Sequence, residues 1–169
     1  DKTINRNIAS CIYTGILTDT GSFKYPNVSS KTHEIISDLL NHKINHSNIH
    51  QKLYDSQSKS RFKLLNIFMN NLSFLNDDKI AFSFLYESDL KCCKFVKGDT
   101  EGFVNFPLSL SSVKFSAFFV QFEDGIKLSF RSQGKIDVNA FAKKYFNGGG
   151  HKNASGGFFF HRNLTEVLN

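Results

Sequence analysis

KLSFRSQGKIDVNAFAKKYFNGGGHKNASGG, residues 127–157, changes its periodicity twice. Leu128 and Phe130 alternate with Lys127, Ser129 and Arg131 at the period of two that marks a strand covered on one face, so Arg131 falls on the polar face. Gly134 breaks the strand. Asp137 then offers an N-cap to a helix whose Val138, Phe141, Ala142 and Tyr145 share one side, and Asn147 and Gly148 stop it. A strand, a helix and a run of glycines in such close succession point to a mixed α/β fold with the strand end beside the glycines.

Three successive glycines, Gly148, Gly149 and Gly150, reach φ values closed to other residues. Their amides are expected to converge into an anion-binding nest, with Lys152 adding charge and His151 a further donor. Arg131 beside such a nest makes a phosphate clamp, because a guanidinium and amides both donate to anionic oxygens. The plainer alternative is a helix C-cap and turn with His151 idle in solvent and Arg131 in a surface ion pair.

Upstream, Asp124-Gly125 signals a hairpin between this strand and a Phe-rich one at Val113–Phe122, and Ile80, Phe82 and Phe84 alternate along another. Before these strands the apolar spacing is helical. Leu65, Phe68, Met69 and Leu72 make one stripe, and Thr32, Ile35, Ile36, Leu39 and Leu40 make another behind a cap at Ser29 or Ser30. Ile4, Ile8, Cys11, Ile12 and Gly15 make a third, capped by Thr3 or Asn5 and expected to face a core. Residues 41–59 turn polar and read as a short helix within a domain connection.

The chain has 169 residues and a formal charge of +6, which suits a phosphate-rich partner without specifying one. Its three cysteines include no C-x-x-C pair, and an odd count argues against a disulfide framework and for a reducing cytoplasm. Cys11 is expected in a core, and Cys92-Cys93 as one core and one surface residue. No apolar run approaches the roughly 18 residues of a membrane span. His42, His46 and His50 recur at intervals of four, a spacing that zinc uses. The polar residues around them favour solvated surface instead.

In TDTGSF, residues 18–23, Asp19 reads either as a turn residue or as one ligand of a hard cation such as Mn or Mg. Taken with its context, CIYTGILTDTGSF resembles the last catalytic motif of the DHH superfamily of phosphoesterases. EGFVNFPLSL and the opening stretch resemble the core of the DHH-associated C-terminal domain, in the order found in the branch of oligoribonucleases that also act on adenosine 3′,5′-bisphosphate. The resemblance spans nearly the whole chain. It implies that residues 1–55 are the C-terminal part of a DHH catalytic domain, 56–76 a connector helix and 77–169 a substrate-binding domain with a mixed central sheet flanked by helices.

The resemblance further implies a cytoplasmic enzyme holding two manganese ions, with Asp19 as one ligand, that hydrolyses short RNA or adenosine 3′,5′-bisphosphate and in some cases forms a homodimer. Arg131, Gly148, Gly149, Gly150 and His151 would hold the substrate, with Ser132 and Asn105 in adjoining motifs. The family's N-terminal metal motifs have no counterpart in this sequence. The chain is therefore expected to begin inside the catalytic domain, to lack most metal ligands and to hydrolyse nothing alone. Alternatives are a noncatalytic nucleotide- or nucleic-acid-binding module and a cyclic-dinucleotide phosphodiesterase.

Overall fold

The computed structural model describes residues 4–160 and 163–165 and divides into two units, Asp1–Gln57 and Ser58–Asn169. The first unit is helical: α1 spans Arg6–Asp19, α2 Ser30–Asn41 and α3 His46–Tyr54. Asn5 caps α1 by accepting from the amides of Asn7 and Ile8, each at 3.0 Å, and Ser29 caps α2. Thr3, the other candidate cap, lies outside the described residues.

The inward face of α1 differs from the predicted one. Ala9, Tyr13 and Leu17 are buried against Leu39 and Ile44, whereas Ile4, Ile8, Cys11 and Ile12 are exposed. The two stripes differ by one residue, about 100° of helix rotation, and both are apolar, so periodicity alone chose the wrong side. The helix also runs further than its composition suggests. The hydroxyls of Thr18 and Thr20 donate to the carbonyls of Thr14 and Ile16, at 3.0 and 2.6 Å, which accommodates polar side chains in the last turn and makes Asp19 its final residue.

The second unit begins with α4, Lys59–Asn70, and then runs β1 (Ser73–Leu75), β2 (Ile80–Leu85), α5 (Glu87–Cys92) and a 3₁₀ helix at Phe103–Ser109. Next come β3 (Phe115–Phe122), β4 (Gly125–Ser132), α6 (Val138–Phe146), β5 (Gly149–His151) and β6 (Ala154–Phe160). The strands form one mixed sheet in the order β1-β2-β3-β4-β6-β5, in which only β2 and β3 run parallel. Segment 56–76, predicted as a connector, supplies α4 to this unit's core through Leu64 and Phe68.

Both faces of β3 are covered, as its run of phenylalanines implies. On one face Phe118 and Val120 pack with Leu64, Phe68, Leu90, Cys93 and Phe103. On the other, Ala117 lies in a cluster with Leu128, Phe130, Val138 and Ala142. Phe130 is 1% exposed, and its ring sits 5.3 Å from Phe141 and 5.0 Å from Phe146, which fixes α6 to the second face.

The turn before the 3₁₀ helix is held by Asp99. Its carboxylate accepts from the Ser58 hydroxyl at 2.7 Å and the Val96 amide at 2.9 Å, and Arg61 donates to its carbonyl at 2.9 Å. Burial acts to raise this carboxyl's pKa, but hydrogen bonds from Ser58, Val96 and Ser60 and the charge of Arg61 outweigh it and hold the pKa below its ordinary value. A carboxyl lowered in the folded state contributes stability above its unfolded pKa of about 3.9, and that contribution is lost as pH falls through the folded value. Asp99→Asn is therefore expected to destabilise the chain by about 1–2 kcal/mol at neutral pH. In thermal melts the gap from wild type is expected to narrow as pH falls below about 4; a gap unchanged down to about pH 2 contradicts this role.

Candidate functional site

Alternation along β4 sends Lys127, Ser129 and Arg131 to the same face as Phe118 and Val120. Helices cover that face over β2 and β3, but the part over β4, β6 and β5 is a cavity of about 570 Å³. Register carries the rows across it. Ser129 pairs with Gly156, which pairs with Gly149; Arg131 pairs with Ala154, which pairs with His151. The three polar side chains of β4 therefore stand beside a floor of glycine and alanine. Thr100, Glu101 and Gly102, anchored next to Asp99, form the opposite rim.

The floor is bare because the backbones beneath it are close. A Cβ on Gly156 would stand 2.6 Å from the Leu128 carbonyl oxygen, and one on Gly148 would overlap the Gly156 carbonyl. The predicted nest is absent. Gly149 and Gly150 lie in β5, an edge strand paired with β6, and the hairpin between them turns on Lys152 and Asn153. The Gly148 amide donates to the Ala142 carbonyl at 3.1 Å and the Gly150 amide to Asn139 Oδ1 at 3.1 Å, so neither points at a shared ligand position. Glycines in a row suit a loop and a closely packed strand equally, and the sequence does not show the pairing that decides between them.

Arg131 is where the alternation placed it. It lines the cavity with Gly149 and Gly150, and its Nη1 donates to the Phe130 carbonyl at 2.9 Å. His151 is exposed on the same row, two strands away. Ser132 faces the other way: it is buried, donates to the Ile136 carbonyl at 2.7 Å and accepts from Asn153 at 2.9 Å, tying the β5–β6 turn to the loop before α6. Asn105 is exposed on the 3₁₀ helix and lies outside the cavity lining, as does Gly148. Lys127, Ser129 and Gly156 also line the cavity, and the alternation that locates Arg131 already puts Lys127 and Ser129 beside it.

Asp19 is exposed at the C-terminal end of α1, in the first unit. Among the described residues no three His, Cys, Asp or Glu side chains are grouped to hold a metal ion. A hard divalent cation takes about six oxygen ligands, so this one carboxylate does not by itself fit a manganese site. The His42, His46 and His50 series is divided between elements. His42 caps α2, His46 opens α3, and His50 Nε2 lies 3.1 Å from the Tyr13 hydroxyl, which makes it a packing residue rather than solvated surface. Cys93 is buried and Cys92 exposed, as their adjacency suggested. No described helix is long and apolar enough to cross a membrane.

Residues 92–168 match the DHHA1 domain family. The chain is 32% identical over 153 residues to the bifunctional oligoribonuclease and PAP phosphatase NrnA of Bacillus subtilis, covering 90% of this chain and 48% of that protein. It is 33% identical over 149 residues to the probable bifunctional oligoribonuclease and PAP phosphatase NrnA of Streptococcus mutans, covering 88% and 47%. The crystal structure of an exopolyphosphatase-related protein from Bacteroides fragilis superposes with a TM-score of 0.92 at 41% identity, over 98% of this chain and 48% of that one. The chain thus spans about half the length of the curated relatives it matches.

Proposed function

Because the chain belongs to the DHH phosphoesterases and carries their DHHA1 domain at residues 92–168, we propose that its second unit holds the phosphate and nucleotide of a short oligoribonucleotide, or of adenosine 3′,5′-bisphosphate, for hydrolysis by a DHH catalytic domain. The observation that carries this reading is the row of Lys127, Ser129 and Arg131 beside a floor of glycine and alanine. A guanidinium, a hydroxyl and an ammonium on one strand face supply donors and charge for phosphate oxygens. The glycine floor lets a sugar or base lie against the backbone. Fixing the non-reacting end of a substrate in this way lowers the barrier at the reacting end by positioning.

In the whole protein, this reading includes manganese dependence, with Asp19 as one carboxylate of a set completed by other residues. The relatives named as oligoribonucleases favour short RNA over a module that binds without hydrolysis. Calorimetry of the chain with a 5′-phosphorylated diribonucleotide and with adenosine 3′,5′-bisphosphate is expected to show saturable binding that weakens as salt rises, since each phosphate neutralised releases counterions. Absence of saturable binding, or binding indifferent to salt, contradicts the assignment.

A further inference from the structure

Beyond Lys127 the same sheet face turns aromatic. Lys127 pairs directly with Phe158 on β6, and Phe160, two residues on, shares its face. The two rings are 4.8 Å apart. Phe158 lies across the start of β4, where Gly125 has no side chain to obstruct it; a Cβ there would come within 2.8 Å of Phe158 Cε1. Phe160 is 68% exposed, the most exposed of the large apolar side chains described. Lys127 is also exposed and, among the described residues, forms no ion pair. A pair of aromatic rings continuing a cationic strip is the pattern with which proteins bind single-stranded nucleic acid, the rings stacking bases and the cations following the backbone.

We propose that Lys127, Phe158 and Phe160 form a distal subsite for a second base and phosphate, so that this face prefers oligonucleotides to mononucleotides. The inference rests on the nucleotide-binding reading above. Four residues of extended strand place Lys127 about 13 Å from Arg131 along β4, beyond the span of one nucleotide's phosphate. A mononucleotide anchored at Arg131 leaves the rings empty, whereas a trinucleotide running along β4 reaches them. Glu123 and Asp124 in the β3–β4 turn place negative charge past the rings and end the phosphate track near Lys127.

The test compares the chain and its Lys127→Ala, Phe158→Leu, Phe160→Ala and Arg131→Ala variants, titrated with adenosine 5′-monophosphate, a 5′-phosphorylated triribonucleotide and tripolyphosphate. Circular dichroism and melting confirm that each variant is folded. Phe158→Leu and Phe160→Ala are expected to weaken trinucleotide binding by about tenfold each and to leave the mononucleotide and tripolyphosphate unchanged. Lys127→Ala is expected to lower the salt slope of trinucleotide binding by about 0.7. Equal losses for mononucleotide and trinucleotide overturn the subsite, as do equal losses for tripolyphosphate, because stacking requires bases. If Arg131→Ala weakens all three ligands while the other variants change nothing, the subsite fails and nucleotide binding at Arg131 stands without Lys127. If Arg131→Ala changes nothing either, both fail. Loss of self-association in Phe160→Ala with trinucleotide affinity intact assigns the rings to a contact between copies and overturns the subsite.

Discussion

Arg131→Ala is expected to reduce affinity for a 5′-phosphorylated diribonucleotide by about ten- to a hundredfold, the effect of losing a hydrogen bond to a charged group worth about 1.5–3 kcal/mol. The guanidinium lies on the cavity face of β4 with Gly149 and Gly150 across the floor, and among the described residues no other arginine lines that cavity. Within the fold its Nη1 donates to the carbonyls of Phe130 and, at 3.5 Å, Ser155, so a thermal melt of the variant separates lost affinity from lost fold. Arg131→Lys separates charge from shape. It keeps the positive charge but loses the planar fork, so partial recovery is expected. Full recovery would show that only the net charge matters, and unchanged binding in Arg131→Ala would remove this residue from the site.

Gly148→Ala is expected to cost about 3 kcal/mol or more, within the range of severe single substitutions. The added methyl would overlap the Gly156 carbonyl, a backbone atom of β6 that cannot move without disturbing its pairing with β4. Because Gly156 is also floor, binding is expected to weaken together with stability. Gly149→Ala is the matched control. Its nearest neighbour is Asn139 Oδ1 at 3.9 Å, so a Cβ fits, and the cost is expected to stay within about 1 kcal/mol. Urea unfolding of the two variants reads the difference directly. Equal stabilities would mean that the close approach of these strands is wrong.

The two glycine predictions also show what the sequence conveys and what it does not. Alternation over residues 126–131 identified β4 and the face Arg131 occupies, because strand periodicity is local. Asp137 and Asn147 marked the ends of α6 for the same reason: one accepts the Ala140 amide and the other adopts φ 47°. Gly148–Gly150 were ambiguous, since whether they loop or pair depends on β6, and ASGGFFF has no strong strand signature of its own. The hairpin signal at Asp124-Gly125 was right about the hairpin but off by one residue. Glu123 and Asp124 make the turn, and Gly125 opens β4 opposite Phe122.

The site shows the same division. Residue types pointed to phosphate, and strand parity placed Arg131. The floor was not legible, because it arises where three strands come together and side chains are missing from two of them. Ser132 shows the converse: its neighbour Arg131 faces the cavity, so strand alternation turns Ser132 to the opposite face, where it fastens a loop.

On the proposed reading, ligand phosphate sits on the β4 face beside the glycine floor. Backbone amide chemical shifts of the chain, followed by NMR as a 5′-phosphorylated diribonucleotide is added, locate it. The largest changes are predicted at Lys127, Ser129, Arg131, Gly149 and Gly156. Changes confined to α6 on the opposite face, or to the first unit around Asp19, with that strip unmoved, would contradict it.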